Sequence, residues 1–388
     1  MRSVEEVQTT LQIAKLNPDE FYPVTQCLSF REHVSSGDFC LMELDETLCK
    51  YVETGKSLVI RGDKNEHAVL CSADETYELK IADTSNLLLF IPNGRTLDNL
   101  SEDLSGHKII HSQVYGFSNC YWELRKCRPK LKKLKKLLLE NQYEGLCIKE
   151  EHSSTKYTTS DLLQQIQASE EELLNQLQVL HACEINGYWS ILELNYEMKL
   201  LSHITQLIDA ESWSFCKIPL RICLQELGTL EPQEMIEHCL NCYGDRYIDA
   251  DGDIFFALNE DKVCRAIAES LLQNAIKFNL SEFQEVWQQS VPEGMKTQLD
   301  QLKGLALIDH TSKPEAISLL KVEDLPEDTQ ERFNCLFGIR EKWSEADIVP
   351  YIQDLCSEKQ TGALLTKHAR SSFQNGTKVY NSRRLMTS

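Results

Sequence analysis

Two short stretches of the chain carry residues whose types and spacing could hold a metal ion. His238, Cys239 and Cys242 have the spacing of half a zinc site, but no second pair of ligands lies at zinc-ribbon distance and Cys239 falls on an apolar helix face. Residues 249–253 (Asp-Ala-Asp-Gly-Asp) resemble the start of a calcium loop but lack the glutamate that ends one, which favours a turn between two strands. We therefore expect no metal ion and no cofactor.

A third stretch could bind phosphate. Residues 54–57 (Thr-Gly-Lys-Ser) resemble the end of a phosphate-binding loop, but Lys50 stands where the first glycine should be, and the segment leads into a strand instead of a helix. His181, His203 and His310 lie apart, with no nucleophile arranged around them. These observations predict a protein that is not an enzyme.

The remaining reactive groups are cations, gathered at two places in a chain of net charge −20. Residues 125–136 contain eight basic residues and no acid, and Leu131, Leu134, Leu137 and Leu138 form an apolar stripe on this segment. In one interpretation the leucines pack on the following domain and the lysines are solvated. In the others the segment is an import signal, a phosphate contact or a docking site for an acidic partner.

The second cationic segment runs from residue 359 to residue 388 and contains no acid. Its basic residues are Lys359, Lys367, Arg370, Lys378, Arg383 and Arg384. Lys367 and Arg370 are three apart, so we expect them to share a helix face. We predict contacts with DNA phosphates that read no bases, because no Asn/Arg constellation for base edges stands out. The alternative is a solvated basic tail.

A helix, a tight corner, a second helix and a two-stranded ribbon are predicted over residues 157–193, an order typical of a winged helix. Ser169 and Glu172 have capping-box spacing at the start of the second helix. Asn186-Gly187 is a strong hairpin signal within the ribbon.

The same order recurs over residues 220–258, 280–322 and 344–380, the last with a shorter ribbon. Longer helical runs follow the first three ribbons, and they begin near Asn195, Glu260 and Leu325. A regular period of domain size indicates a tandem array. The alternative is an irregular helical domain with three accidental hairpins.

Residues 1–116 contain none of these repeats. Short strands with little helix predict a small β-barrel or sandwich there, with strand candidates at residues 38–44, 57–61, 68–72, 76–84, 87–91 and 109–115. Residues 87–91 are apolar throughout, so we expect both faces of that strand to be covered. We predict a partner interface at Leu87, Leu88, Leu89, Phe90 and Ile91, since strands of a partner are one way to close the edges of such a domain.

The predicted fold class is therefore α+β, with an N-terminal all-β barrel-like domain followed by tandem winged-helix units. The predicted domains are residues 1–122 (β-domain), 123–194 (basic helix and first winged helix), 195–259, 260–324 and 325–388 (the last with the basic tail).

The charges divide the repeats between two kinds of partner. The second helix of the first copy opens with Glu170, Glu171 and Glu172, and that of the second copy opens with residues 231–234, which include two glutamates. Stacked carboxylates repel a phosphate backbone. We expect these copies to bind protein, with Glu170 and Glu171 as interface residues, and the C-terminal copy to bind DNA.

Length and composition set outer limits. With 388 residues, 42% of them hydrophobic and 26% charged, the chain is typical of a globular protein with several domains. No apolar run approaches the roughly 20 residues that a bilayer requires. The acidic start is unlike a secretory signal, so we interpret the 15 cysteines as reduced thiols in the cytosol or nucleus.

Several long motifs resemble one known family. They include residues 56–64 (KSLVIRGDK), 121–124 (YWEL), 128–135 (RPKLKKLK), 282–295 (EFQEVWQQSVPEGM) and 378–384 (KVYNSRR). They are similar to the "defective in sister chromatid cohesion" subunit of the alternative replication factor C clamp loader, in its vertebrate form. The resemblance covers nearly the whole chain.

The resemblance implies a nuclear, non-catalytic subunit that acts in DNA replication, the cell cycle and sister chromatid cohesion. It implies a β-domain that forms a joint barrel with the small subunit and with the C-terminal tail of the large ATPase subunit. It further implies docking on the catalytic subunit of DNA polymerase epsilon and an action on the sliding clamp PCNA, by loading or unloading. The family is usually counted with three winged helices, so a fourth is a departure. The alternative is a protein-only winged-helix scaffold of another nuclear or cytosolic assembly.

Overall fold

The computed structural model describes residues 3–17, 20, 24–35, 37–64, 66–92, 94, 108–145, 155–356, 358–374 and 376–383. The chain divides into two compact units. The first comprises Met1–Pro129 and Gln167–Glu172, and the second comprises Lys130–Ile166 and Leu173–Ser388. Both helices and strands occur along the chain, so the α+β class is confirmed.

The first unit contains two helices and an antiparallel sheet. Its elements are α1 (Val4–Ile13), β1 (Val24–Phe30), α2 (Glu46–Glu53), β2 (Val59–Arg61), β3 (Val69–Cys71), β4 (Thr76–Phe90), β5 (Lys108–Val114) and β6 (Gly116–Lys126). The sheet has the order β2-β3-β4-β6, and β1 pairs with β5 in a separate parallel pair.

The prediction of an all-β first domain is wrong, because α1 and α2 are helices with well-formed starts. Ser3 and Glu6 make a capping box at α1, and the Asp45 side chain accepts a hydrogen bond from the Leu48 N–H at α2. Leu48 is buried against Leu70 and Tyr77, which anchors α2 on the sheet. Among the described residues the strands of this unit close no barrel.

The longest strand, β4, joins two segments that the sequence predicted as separate strands. Its pairing with β6 shifts register between Asp83 and Leu88, as at a β-bulge. Its pairing with β3 covers only Thr76 to Glu78. From Leu79 to Phe90, the edge of β4 on the β3 side therefore has no strand partner among the described residues.

The chain from residue 130 onward carries the repeats. Its helices are α3 (Lys132–Leu139), α4 (Thr159–Gln165), α5 (Glu170–Val179), α6 (Leu194–Ala210), α7 (Leu220–Leu227), α8 (Gln233–Tyr243), α9 (Glu260–Gln273), α10 (Leu280–Ser290), α11 (Thr329–Ile339), α12 (Glu345–Ile348) and α13 (Thr361–His368). Its strands are β7 (Ala182–Ile185), β8 (Tyr188–Ile191), β9 (Ile218–Pro219), β10 (Gly244–Ile248), β11 (Ile254–Leu258), β12 (Phe278–Asn279), β13 (Ala306–Asp309), β14 (Ala316–Leu319), β15 (Lys342–Ser344), β16 (Ala369–Gln374) and β17 (Thr377–Ser382).

Four segments share one order of elements: a helix, a short strand, two further helical segments and a hairpin. In three of them the short strand pairs with the second hairpin strand, giving the sheets β9-β11-β10, β12-β14-β13 and β15-β17-β16. In the first copy, an isolated antiparallel bridge between Tyr157 and Trp189 stands in the equivalent place. The recurrence predicted from the sequence is present in the topology.

Two copies depart from the predicted elements. In the third copy the second helix is reduced to a short 3-10 helix, Leu299–Leu302. In the fourth, the predicted helix over residues 344–355 is α12 followed by 3-10 turns, the first of which contains Pro350. The fourth ribbon is longer than predicted, with six residues in each strand.

The fourth copy has a core of its own. One buried cluster runs through the first three copies and includes Leu200, Phe256, Phe283 and Trp287. A second cluster lies within the fourth and contains Phe333, Leu336, Trp343, Ile348 and Tyr351. Within the described ranges, no helix combines the length and the apolar character that a membrane crossing requires.

Candidate functional site

Several apolar side chains are exposed to solvent along β4, the strand of the first unit with an unpaired edge. On β4, Ile81 is 69% exposed and Leu87 is 56% exposed, and Leu89 is exposed as well. Alternate residues of a strand point to opposite faces, and Leu88 and Phe90 on the other face are half-buried. The expectation that both faces of residues 87–91 are covered is therefore wrong for the chain alone.

The first unit also buries few apolar side chains of its own. Among its described residues, those that are fully buried are Leu48, Val69, Leu70, Cys71, Tyr77, Val114 and Ala168. On β1, Leu28 and Phe30 are exposed too. An unpaired strand edge beside water-facing apolar residues is the kind of surface that another chain covers by adding a strand.

Two of the three carboxylates at the acidic start of α5 have no hydrogen-bond or ion-pair partner within the described ranges. Glu170 and Glu171 are exposed. Glu172 is engaged: its Oε2 accepts hydrogen bonds from Thr76 Oγ1 at 2.5 Å and from the Ser169 N–H at 3.1 Å. The Glu172 N–H in turn donates to Ser169 Oγ, which confirms the predicted capping box.

The basic helix α3 is held by acids of the second unit. The N–H groups of Leu131 and Lys132 both donate to Glu327 Oε1, at 3.0 and 2.8 Å. Lys135 Nζ lies 3.2 Å from Glu323 Oε2 and 3.1 Å from Asp324 Oδ1. Burial works against the charge of Lys135, but the two carboxylates outweigh it and raise its pKa.

These contacts test the interpretation in which the leucines of α3 pack on the following domain and its lysines are solvated. Leu134, Leu137 and Leu138 are buried, so the predicted packing of the leucine stripe is confirmed. The interpretation of the lysines as merely solvated is wrong for Lys132 and Lys135. The Lys132 ammonium donates to the backbone carbonyls of Asp324 and Leu325, and that of Lys135 pairs with the Glu323 and Asp324 carboxylates.

The fourth copy exposes its cations, but not in the predicted arrangement. Lys359, Lys367, Arg370, Lys378 and Arg383 are all exposed, and Arg384 lies outside the described residues. The prediction that Lys367 and Arg370 share a helix face is wrong. The chain becomes extended at Ala369, so α13 ends at His368 and Arg370 lies on β16.

Two of these cations are held by the fold. Arg383 Nε donates to the Ala369 carbonyl at 3.2 Å, and its Nη2 donates to the Thr366 carbonyl at 2.5 Å, where α13 ends. A cation at this position satisfies terminal carbonyls of the helix. Lys378 Nζ lies 5.0 Å from the centre of the Tyr380 ring. In the described part of the chain, no carboxylate pairs with Lys367 or Arg370, so their charges remain available.

A cavity of about 170 Å³ lies between α11 and α13, and Lys367, His368 and Arg383 contribute to its lining. The His368 ring stacks on Phe333 with 5.1 Å between ring centres. Burial, together with the charges of Lys367 and Arg383, lowers the pKa of His368. The lowered pKa favours the neutral imidazole, so the positive charge of this surface comes mainly from its lysines and arginines.

The candidate zinc half-site is packed as core. Cys239 is buried, and His238 Nε2 lies 3.0 Å from the His181 carbonyl and 3.4 Å from Cys242 Sγ. Burial raises the pKa of both Cys239 and Cys242, which keeps the thiols protonated. The described residues contain no group of three or more His, Cys, Asp or Glu side chains that could hold a metal ion.

The other two candidate ligand sites are turns. Asp249 Oδ1 accepts hydrogen bonds from the N–H groups of Asp251 and Asp253, both at 3.0 Å, between β10 and β11. This confirms the turn that was preferred to a calcium loop. Residues 54–57 lie between the end of α2 and strand β2, so the phosphate-loop resemblance fails in the structure as expected.

Sequence reasoning missed Phe373, an exposed aromatic residue on β16. Its position two residues before Asn375-Gly376 was a usable signal, because that dipeptide favours a hairpin turn and so places Phe373 near the end of a ribbon. It also missed Glu327, for which the sequence offers no local signal.

Comparison with known proteins gives one consistent family. A family model described as "Sister chromatid cohesion protein Dcc1" matches residues 39–352. Sister chromatid cohesion protein DCC1 of Danio rerio is 68% identical over 387 residues, 99% of either chain. The protein of the same name from Homo sapiens is 67% identical over 389 residues, again 99% of either chain. The probable sister chromatid cohesion protein DCC1 of Dictyostelium discoideum is 26% identical over 353 residues, which cover 85% of this chain and 89% of that protein.

Proposed function

The chain belongs to the Dcc1 family of sister chromatid cohesion proteins, and on that premise we propose that it is a non-catalytic subunit of an alternative clamp loader. The full-length identity to cohesion proteins carries the proposal and supports a role in sister chromatid cohesion. The family is one of cohesion proteins and not a known enzyme family. We further propose that the subunit acts in DNA replication in the nucleus, within a replication factor C-like complex that loads or unloads PCNA.

In this proposal the first unit joins the complex through strand addition. The open edge of β4 from Leu79 to Phe90 and the exposed Ile81 and Leu87 support it. The small subunit and the C-terminal tail of the large ATPase subunit supply the missing strands, so that the three chains complete one barrel. The limited core of the unit fits a domain that is completed by its partners.

Co-expression with the two partner subunits tests this assembly. Leu87→Asp/Leu89→Asp places two charges on residues that are exposed in the chain alone, so the variant keeps its fold and loses the partners. Ile276→Asp is the matched control, because Ile276 is an exposed apolar residue of the second unit. If the double variant co-purifies with both subunits as well as the control does, assembly through β4 is wrong.

We interpret the four repeated segments as winged helices with different partners. The exposed Glu170 and Glu171 support a protein contact for the first copy, which we assign to the catalytic subunit of DNA polymerase epsilon. The fourth copy contacts DNA through phosphates, without reading sequence. Five exposed cations, with Lys367 and Arg370 unpaired by any described carboxylate, support this assignment.

The salt dependence of DNA binding tests the fourth copy. Each phosphate contact contributes about 0.9 to the slope of log affinity against log salt on duplex DNA, so Lys367→Ala/Arg370→Ala lowers the slope by about 1.8. Arg221→Ala/Lys262→Ala removes the same two charge types from exposed positions in the second and third copies and leaves the slope unchanged. An unchanged slope in the first variant would instead favour a scaffold that binds protein alone.

A further inference from the structure

An aromatic side chain is exposed to solvent near the turn of the β16–β17 ribbon. Phe373 is 79% exposed, next to the last residue of β16. It pairs across the ribbon with Lys378, and Gln374 pairs with Thr377 at the turn. A phenyl ring this exposed gains little from the core of its own chain, so it is accessible to a contact outside the chain.

The ribbon register shows why the ring is uncovered. Residues at every second position of a strand share a face, so Phe373 lies on the same face as Ala369, which is buried. Tyr380, opposite Ser371 on that face, is buried as well. Near Ala369 and Tyr380 this face packs on the core of the fourth copy. Toward the turn it extends past that core, and Phe373 and Lys378 are exposed there.

Charge distinguishes this ribbon from the ribbon of the second copy. There, Ile248 is 65% exposed beside a turn that carries Asp249, Asp251 and Asp253. In the fourth copy, Arg370 and Lys378 lie on the ribbon strands, and no acid occurs from residue 359 to residue 388. Lys378 lies beside the ring on the same face. An exposed ring next to a cation suits a partner that is both aromatic and anionic.

We propose that Phe373 stacks on an unpaired base of single-stranded DNA while Lys378, its partner on the same face of the ribbon, contacts a flanking phosphate. The inference deepens the proposed function and rests on it, since it requires that the fourth copy binds DNA. Aromatic side chains on a cationic surface are the general means of holding single strands, because every base offers a ring face. Insertion of the same ring into a duplex carries the cost of unstacking a base step, which a single strand does not impose.

Binding of the full-length chain to an oligothymidine strand and to a blunt duplex of equal length tests the proposal. Phe373→Ala weakens single-strand binding about tenfold, the size typical of one lost base–aromatic stack. It leaves the salt slope unchanged, because no phosphate contact is removed. Duplex binding changes less than twofold.

Three further variants isolate the ring. Phe373→Tyr keeps an aromatic face and binds the single strand as the natural chain does. Phe373→Leu keeps apolar bulk without the ring and binds as weakly as the alanine variant. Ile248→Ala removes an exposed apolar residue from the acidic ribbon and changes nothing.

The outcomes separate this inference from the proposed function. If Lys367→Ala/Arg370→Ala lowers the salt slope while Phe373→Ala binds as the natural chain does, stacking is wrong and DNA binding stands. Equal weakening on duplex and single strand also overturns the assignment to an unpaired base. If neither variant changes binding, both proposals fail.

Discussion

Replacing Glu327 by alanine removes the acceptor that holds the first turn of α3. The residue before this helix, Leu131, has no side chain that can cap it. The N–H groups of Leu131 and Lys132 donate instead to Oε1 of Glu327, which lies 196 and 195 residues further along the chain. The carboxylate also places a negative charge at the positive end of the helix dipole.

The expected cost follows from these two contributions. Loss of an N-terminal cap destabilises a helix by about 1 kcal/mol, and loss of the charge adds about 0.3–1 kcal/mol at an exposed site. The local opening free energy of α3 therefore falls by about 1–2 kcal/mol in Glu327→Ala. Glu327→Gln keeps an oxygen acceptor and removes only the charge, so it loses about 0.3–1 kcal/mol.

Native-state amide hydrogen exchange over residues 131–139 measures this loss locally, which matters because a chain of two units is not expected to unfold in one step. Exchange in Glu327→Ala is about five- to thirtyfold faster than in the natural chain. Glu323→Ala is the control: among the described residues the Glu323 carboxylate pairs with the side chain of Lys135, and ion pairs near the surface contribute about 0–1 kcal/mol. Equal exchange in the alanine variants of Glu327 and Glu323 would refute the role of Glu327 as a cap.

Two further predictions concern buried polar groups. Arg332 is buried and donates to both oxygens of Asp354, at 2.6 and 2.8 Å. Arg332→Leu therefore lowers the free energy of unfolding of the fourth copy, measured in urea, by about 3 kcal/mol, the low end for a broken buried pair because Asp354 is partly exposed. Asp354→Asn keeps an acceptor and loses less. Burial lowers the pKa of His238 below 6.5, so below that pH the unfolded chain binds more protons than the folded chain, and stability falls as the pH drops from 6.5 toward 5.5. His238→Gln cannot titrate, and a urea midpoint that falls as steeply in this variant as in the natural chain would contradict the assignment.

The repeats were predictable because their signals are local. Helices α7 and α10 begin and end at the residues that the hydrophobic period and its flanks predicted. Asn186 and Gly187 have φ of 54° and 84° in the β7–β8 turn, the left-handed conformation that made this dipeptide a hairpin signal. Hydrophobic spacing and turn residues act within a few positions of the chain, so a single sequence displays them.

The errors arose where distant contacts decide the structure. The spacing of Lys367 and Arg370 predicts a helix that includes Arg370, but α13 ends at His368, and Arg383 binds the carbonyls of Thr366 and Ala369 there. Glu327 reaches the start of α3 from nearly 200 residues away. Arg383 lies 14 and 17 residues beyond the carbonyls that it binds, and neither contact belongs to a local pattern of hydrophobic spacing or turn residues.

The first unit shows a second limit of prediction from sequence, which concerns the burial of a strand. The apolar run at residues 87–91 correctly indicates strand, and β4 includes four of its five residues. Periodicity describes the faces of a strand but not what covers them. Leu87 and Leu89 are exposed, so among the described residues nothing covers this face of the strand, and the partner strands proposed above would do so.

Hydrogen exchange on β4, with and without the two proposed partner subunits, tests the central claim most directly. We expect the amides of residues 79–90 that face the open edge to exchange rapidly in the chain alone and to become strongly protected in the assembly, while the paired residues Thr76 to Glu78 change little. Strong protection of residues 79–90 already in the chain alone, or no gain on assembly, would contradict completion of the first unit by partner strands.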